Sequence, residues 1–264
     1  MVSSFVIYFS LMSVIGYFYE SFAMTIWGGK WDNRGFLFGP AIPIYGAASL
    51  LGTILFEYFY TDYTPKSVFL IAVFSSAILE YVVHYTMEQI FHAYWWDYSK
   101  APLNINGRIC LPASLGFGIA GLIIVYIINP AVLPFIASLN ADLRDVIALI
   151  CTILFTADFT VTISILSSFI RRVESMEEFV NDHMDALVGN VLDESKGLNN
   201  RFYSAVDRVE TARKKLIDAR IEKSISSMNI VYHTVLSHIK GFRGKSYERF
   251  NGILERIRNR INRK

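Results

Sequence analysis

The sequence predicts an all-α polytopic membrane protein, with five transmembrane helices followed by a helical, basic cytoplasmic C-terminal region. Three observations carry this expectation. Five long apolar stretches lie at about 5–27, 41–60, 67–92, 111–128 and 145–170. Each reaches or approaches the roughly 20 residues a helix needs to cross the hydrocarbon core. Charged residues are only 18% of the 264, below the roughly one-quarter usual in soluble domains. The net charge of +2 also hides a split: residues 1–170 hold 6 Lys/Arg against 10 Asp/Glu, and residues 171–264 hold 19 against 13. A membrane domain over 1–170, with sparse and mostly acidic charge, is thus followed by a water-facing tail over 171–264.

The first stretch has no basic residues ahead of it and no small-residue cleavage site, so residues 5–27 read as a retained helix rather than a signal peptide. It carries Glu20 toward its far end and leads into Trp31-Asp32-Asn33-Arg34-Gly35, after which Gly39-Pro40 opens the second helix. Proline in a helix's first turn loses no internal hydrogen bond and presets the backbone angle. The third helix carries Glu80 near its middle and continues through His84, Glu88 and His92 at steps of four. It leads into Trp96-Asp97, then Asn104 and Asn106-Gly107-Arg108, and Pro112 opens the fourth helix. The fifth holds Asp158 near its middle, beside hydroxyls at Thr152, Thr156, Thr160, Ser164 and Ser168. Such a line lets membrane helices pack closely, which is the favoured reading over a hydrated path.

The order of features occurs twice: intramembrane Glu, Trp-Asp, Asn with Arg and Gly, then Pro at a helix start. Two helical hairpins, 5–60 and 67–128, would be parallel repeats with both polar loops on one side. Lys30, Arg34, Lys100 and Arg108 lie in those loops and Arg171-Arg172 end the fifth helix, against Lys66 and Arg144 on the other side. The excess places the loops and the C-terminus in the cytoplasm and the N-terminus outside the cell membrane.

The stretch from Trp31 through Asp32, Asn33, Arg34, Gly35, Phe36, Leu37, Phe38, Gly39, Pro40, Ala41, Ile42, Pro43, Ile44 and Tyr45 to Gly46 resembles a signature of the ABC-transporter type IV (CmpB-like) family of membrane proteins. Trp95-Trp96-Asp97-Tyr98-Ser99, followed by Asn104-Ile105-Asn106-Gly107-Arg108-Ile109-Cys110-Leu111, resembles its second signature. The resemblance covers the chain to about residue 128 and departs mildly at Phe117-Gly118, where the family tends to Trp-Gly. It implies a transport protein. Any ATPase would be a separate subunit, because this chain has no phosphate-cradling glycine loop, and it also lacks a catalytic Ser-His-Asp signature and a zinc-protease motif.

An ionised carboxylate at mid-depth costs at least ~2.5 kcal/mol, so Glu20, Glu80 and Asp158 should face the bundle interior or a cationic partner. With His84 they are candidates for a solute, ion or proton pathway, or for acid–base roles; the alternative is an acid that locks helices together. Trp31, Asp32, Asn33, Arg34, Trp96, Asp97, Asn104, Asn106 and Arg108 are candidates for a binding surface in the cytoplasmic loops. Glu80, His84, Glu88 and His92 are weak metal candidates, since such sites usually draw ligands from more than one helix. No cofactor is expected. Cys110 and Cys151 stand too far apart in sequence to suggest a disulfide framework.

Beyond Arg172 the apolar spacing becomes periodic, so a helix continues out of the fifth span until Gly197-Leu198-Asn199-Asn200 breaks it. A second helix is expected over 201–240, then a break at Gly241-Phe242-Arg243-Gly244 and a short basic helix. That last helix suits anionic lipid headgroups, and nucleic acid is not an expected partner. The long apolar stripes of the tail need cover, and a homodimer is the simplest source. Three functions stay open: a permease for a small solute or ion, a membrane enzyme on a lipid or polyprenyl phosphate headgroup, and a scaffold acting through its tail.

Overall fold

The computed structural model describes residues 1–28, 35–60, 62–194 and 230–243, and the single positions 211, 219 and 251. Helix α1 runs over Val2–Gly28, α2 over Pro43–Ile54 with a π turn at Leu55–Phe59, and α3 over Pro65–Phe91. Helices α4 (Leu111–Ile123) and α5 (Asn129–Ser138) are joined by a π turn at Ile124–Ile128. A single unbroken helix, α6, spans Ala141–Glu194, and α7 spans Ile230–His238. Four two-residue strands complete the described elements: β1 (Ala93–Tyr94) pairs antiparallel with β4 (Gly241–Phe242), and β2 (Asn104–Ile105) with β3 (Ile109–Cys110).

Among the described residues four helices are long and apolar enough to cross a membrane: Val2–Phe22, Pro65–Phe91, Leu111–Ser138 and Ala141–Arg172. The expected second span is a shorter apolar helix, Pro43–Glu57. Its start is lost because residues 35–40 form bends, Ile42 is extended, and helix begins only at Pro43. The fourth helix runs further than its expected end at 128, because a π turn carries it into Asn129-Pro130. Proline cannot donate the usual i→i−4 bond, and a π turn is one way to absorb that loss within a continuing helix. The fifth starts at Ala141, where Asn140 Oδ1 accepts from the Leu143 amide at 2.7 Å and so meets one orphan donor of the first turn.

The hairpins close through small residues. A Cβ on Gly46 would meet the Ser13 hydroxyl and, at 2.5 Å, the Phe9 carbonyl, so α2 lies directly on α1. A Cβ on Gly118 would sit 2.6 Å from Val73 and 2.7 Å from Phe69, which brings α4 equally close to α3. Close approach of this kind is how helices associate where lipid removes the hydrophobic drive between them. Near the starting ends of α1 and α6, Ser3 Oγ donates to Asp145 Oδ1 at 2.6 Å and Phe9 packs on Phe155, so these two helices run parallel.

A buried triangle knits α1, α2 and α5 together. Tyr8 donates to Asn129 Oδ1 at 2.7 Å, Thr53 to the Tyr8 hydroxyl at 2.9 Å, and Asn129 Nδ2 to Thr53 Oγ1 at 3.0 Å. Every member is satisfied, the condition under which a buried polar network is tolerated. The outer surface is the reverse of a soluble protein's. Phe74, Ile78, Ile127, Phe135, Leu149 and Leu154 are each more than 60% exposed or close to it, and a belt of that size is stable against lipid rather than water.

A second core closes the opposite end of the bundle. Phe91, Ala93 and Trp95 pack there with Leu166 and Phe169 of α6 and with Leu236, Ile239 and Phe242 of the C-terminal segment. Phe36 packs on Phe91, Trp95 and Phe159. Phe36, from the connection that follows α1, therefore meets Trp95, from the connection that follows α3, at this end of the bundle.

Candidate functional site

Helical spacing aligns Glu80, His84 and Glu88 on one face of α3, where Glu80 and His84 are buried and Glu88 is nearly so. His92 drops out of this row. It adopts the left-handed conformation that ends α3 and is exposed.

The row divides into two layers. In the inner layer Tyr98 donates to Glu80 Oε1 at 3.3 Å, while Glu80 Oε2 is buried with no hydrogen-bond partner among the described residues. Glu20 of α1 is close enough for its charge to act on Glu80, and Tyr45 of α2 hydrogen-bonds to Glu20. Two acids, one from each hairpin, thus converge with two phenols. Burial, and then the charges of Glu80 and Glu20, hold the Tyr98 hydroxyl far above the ordinary phenol range. It therefore remains a donor across the physiological range.

In the outer layer Glu88 is gripped by two arginines. Arg108 Nη2 and Nε donate to Glu88 Oε2 at 3.1 and 3.3 Å, and Arg243 Nη1 donates to the same oxygen at 3.3 Å. Arg108 Nη1 also donates to the Tyr81 hydroxyl at 2.8 Å, and its guanidinium lies over the Tyr81 and Tyr85 rings at 5.0 Å. Burial opposes the charged form of Arg108, but the Glu88 and Tyr81 contacts outweigh it and raise the guanidinium above its usual value. His84 Nε2 faces the Trp96 carbonyl at 3.1 Å, with Nδ1 3.6 Å from Glu88 Oε2.

The loop after α3 is a built structure. Trp96 Nε1 donates to the Arg108 carbonyl at 2.9 Å, and Asp97 Oδ1 accepts from the Ser99 amide at 2.9 Å. Asn104 Oδ1 accepts from the Gly107 amide at 3.1 Å and its Nδ2 donates to the Ala101 carbonyl at 2.8 Å. Asn106 Nδ2 donates to the Tyr81 hydroxyl at 3.2 Å. Gly107 has a positive φ of 69° and no room for a Cβ, which would lie 2.9 Å from Asp97 Oδ1; both facts call for glycine. Asp97 and Asn104 therefore shape the loop, and Arg108 and Asn106 tie it to α3.

The C-terminal segment straps this loop. Beyond the β1–β4 pair, Lys240 N donates to the Tyr94 carbonyl at 2.7 Å and Arg243 N to the His92 carbonyl at 3.0 Å. Arg243 lies over the Tyr94 ring at 5.1 Å and reaches the Asn106 carbonyl at 3.4 Å.

Asp158 lies elsewhere. Its Oδ1 accepts from the Phe38 amide at 2.9 Å and from Thr162 Oγ1 at 3.2 Å, and its Oδ2 accepts from the Gly39 amide at 2.8 Å. It satisfies the irregular backbone of residues 35–42, which also gains a bond from the Ile42 amide to the Ser13 carbonyl at 2.9 Å. Non-helical backbone at membrane depth requires such internal partners. Of the helix-five hydroxyls, Thr152, Thr156, Thr160 and Ser164 are exposed, Thr152 and Thr160 bond back to the Ala148 and Thr156 carbonyls, and Thr152 and Thr156 edge an apolar groove with Val2, Phe5, Phe9 and Leu50.

Trp31, Asp32, Asn33 and Arg34 lie outside the described residues. Glu80, His84, Glu88 and His92 do not form one ligand set, and no group of three or more His, Cys, Asp or Glu among the described residues could hold a metal ion. Sequence reasoning missed Tyr45, Tyr98, Tyr81 and Arg243. The two signature stretches contained Tyr45 and Tyr98. Arg243 stood in a Gly-Phe-Arg-Gly run read as a helix break.

Four long apolar helices, a lipid-facing belt and a buried acidic–phenolic cluster define a multi-pass integral membrane protein. The chain belongs to the family described as Putative ABC-transporter type IV, whose model matches residues 7–163. That span takes in both hairpins and most of the apolar part of α6, including Asp158. Neither a curated protein nor a solved structure matches the chain.

Proposed function

We propose that this chain is a permease-like transport protein that moves a small solute or ion, with Glu20 and Glu80 as the polar station inside the bundle. The observation carrying this reading is their convergence, one from each hairpin, with Tyr45 and Tyr98 in a layer of otherwise apolar helices. Intramembrane acids facing a bundle interior mark substrate, ion or proton routes. Asp158 serves instead as an anchor for the segment leading into α2.

In this reading the chain crosses the cell membrane five times, with α2 as the short fifth span. Its N-terminus is outside and its 171–264 region forms a cytoplasmic helical domain. The meeting of Phe36 with Trp95 supports a common side for the two loops, and their Lys and Arg make that side the cytoplasm. A separate ATPase subunit would supply any ATP-driven step, a second copy of the chain would cover the tail, and anionic headgroups would meet the basic C-terminal residues. Arg108, which a headgroup enzyme would use to hold phosphate, is engaged by Glu88 and Tyr81, and this favours transport.

The test is solute or ion flux in proteoliposomes, with and without any ATPase that copurifies. Glu80→Gln should abolish flux while leaving a folded, inserted protein, whereas Glu88→Gln should retain most of it. Equal tolerance of both changes would reduce Glu80 to a packing feature.

A further inference from the structure

We infer that the groove between α1 and α6 holds an anionic phospholipid, with its phosphate on the Arg144 guanidinium and one acyl chain among Phe5, Phe9, Leu50 and Phe155. Apolar side chains of α1, α2 and α6 line most of the groove, with the half-buried thiol of Cys151 and the Thr152 hydroxyl on its α6 wall. That hydroxyl is already spent on the Ala148 carbonyl at 2.8 Å. The α1 and α6 walls both lie within stretches apolar enough to cross a membrane, so the groove opens to hydrocarbon.

Arg144 stands at the head of this groove. Arg144, Ala148, Cys151 and Phe155 follow one another at steps of four, three and four, so they share one side of α6. A helical side chain leans toward the start of its helix, which carries the guanidinium away from the groove and up to headgroup level. Its Nε is buried, yet has no hydrogen-bond partner among the described residues. The acids close by in sequence are turned elsewhere. Asp145 Oδ1 accepts the Ser3 hydroxyl at 2.6 Å, and Asp142, two residues before Arg144, projects from the other side of the helix. A buried cationic donor at the rim of a membrane span calls for an acceptor, and a phosphate meets a guanidinium with paired oxygens.

The two features call for one amphiphile. Arg144 and Thr152 are separated by about 12 Å of helix rise, an interval that the glycerol and first methylenes of a phospholipid span. A free anion would leave the groove empty, and a neutral lipid would leave the guanidinium unmatched. A partner helix, about 10 Å across, is too wide for a groove whose walls touch at Ser3–Asp145 and Phe9–Phe155. The site lies at the end of the bundle remote from Glu88 and does not depend on the transport reading.

The experiment is native mass spectrometry of the full-length protein released from detergent micelles, titrated with phosphatidylglycerol or with phosphatidylcholine of the same chains. The unaltered protein should hold one phosphatidylglycerol in preference to phosphatidylcholine. Arg144→Gln should weaken phosphatidylglycerol by about tenfold or more, the loss of hydrogen bonds between charged groups, and leave phosphatidylcholine nearly unchanged. Arg144→Lys, which keeps the charge, should keep part of the preference. Cys151→Phe, which fills the groove, should weaken both lipids. A phosphatidylglycerol with a photoactivatable acyl chain fixes the location: its crosslinks should fall on the α1 and α6 walls of the groove. Should Cys151→Phe fail to fold, the crosslinks and the Arg144 variants still decide. Equal retention of the two lipids, a preference untouched by Arg144→Gln, or crosslinks confined to the basic 201–264 region would overturn the site.

Discussion

Replacing Asp158 by Asn separates an anchor from a pathway. The carboxylate accepts the Phe38 amide at 2.9 Å and the Gly39 amide at 2.8 Å, and Thr162 supports the first bond at 3.2 Å. Asn keeps one acceptor oxygen and turns an NH₂ group toward the other amide. One hydrogen bond to a charged group is lost, worth about 1.5–3 kcal/mol. The Phe38 bond is the more replaceable of the two, because the Phe38 amide also donates to Thr162 Oγ1 at 3.2 Å. If Asn retains the Gly39 bond, the cost falls at the low end; if it retains the Phe38 bond, at the high end. In free energy of local opening this is a factor of about 10 to 150. Hydrogen exchange at the Phe38 and Gly39 amides, measured in lipid nanodiscs, should accelerate by that factor, while amides in α3 stay unchanged. Exchange at these two amides equal to the unaltered protein's, together with lost flux, would refute the anchor and return Asp158 to a path.

Other outcomes follow from the same contacts. Gly46→Ala drives a methyl into the Phe9 carbonyl and should lower the thermal midpoint in mild detergent, reflecting about 1–3 kcal/mol of overpacking. Gly116→Ala, which meets nothing within 4 Å, should leave the midpoint unchanged or raise it, and equal losses at both sites would contradict the packing argument. Arg243→Ala removes the half-exposed partner of Glu88 and should speed exchange at Gly241 and Phe242 by up to about fivefold; unchanged exchange would mean that the β1–β4 pair alone holds the strap. Deleting residues 201–264 should convert a homodimer to a monomer by mass in detergent, and a dimer that survives would place the contact in the membrane domain.

The sequence reports composition well and long-range capture poorly. The apolar runs of α1, α3 and α6 are legible because a membrane demands them and little else produces them. The short α2 is not, since residues 41 and 42 are as apolar as the rest of their run. Only the bends after Gly35, held by Asp158 more than a hundred residues away, keep them out of the helix. Asn129-Pro130 resembles a stop by local rules, yet Asn129 is 2% exposed and tied to Tyr8 and Thr53 inside a continuing helix. The acids Glu20 and Glu80 could be picked out by their cost. Their phenol partners could not, because tyrosines near a membrane surface ordinarily serve as anchors. Arg243 meets Glu88 across 155 positions, beyond any periodicity.

The unbroken course of α6 has a mechanical meaning. At 1.5 Å per residue the 54 residues of Ala141–Glu194 make a rod of about 80 Å, and the apolar part ends at Arg172. Roughly 30 Å of the same rod therefore extends past that point without a hinge. A torque applied to the far end turns Asp158 with it, and Asp158 holds the amides of Phe38 and Gly39. The shaft is thus geared to the bent segment that feeds α2, and through Ile42 to the Ser13 carbonyl of α1. Whatever grips the distal end of α6 has a stiff handle on the first hairpin.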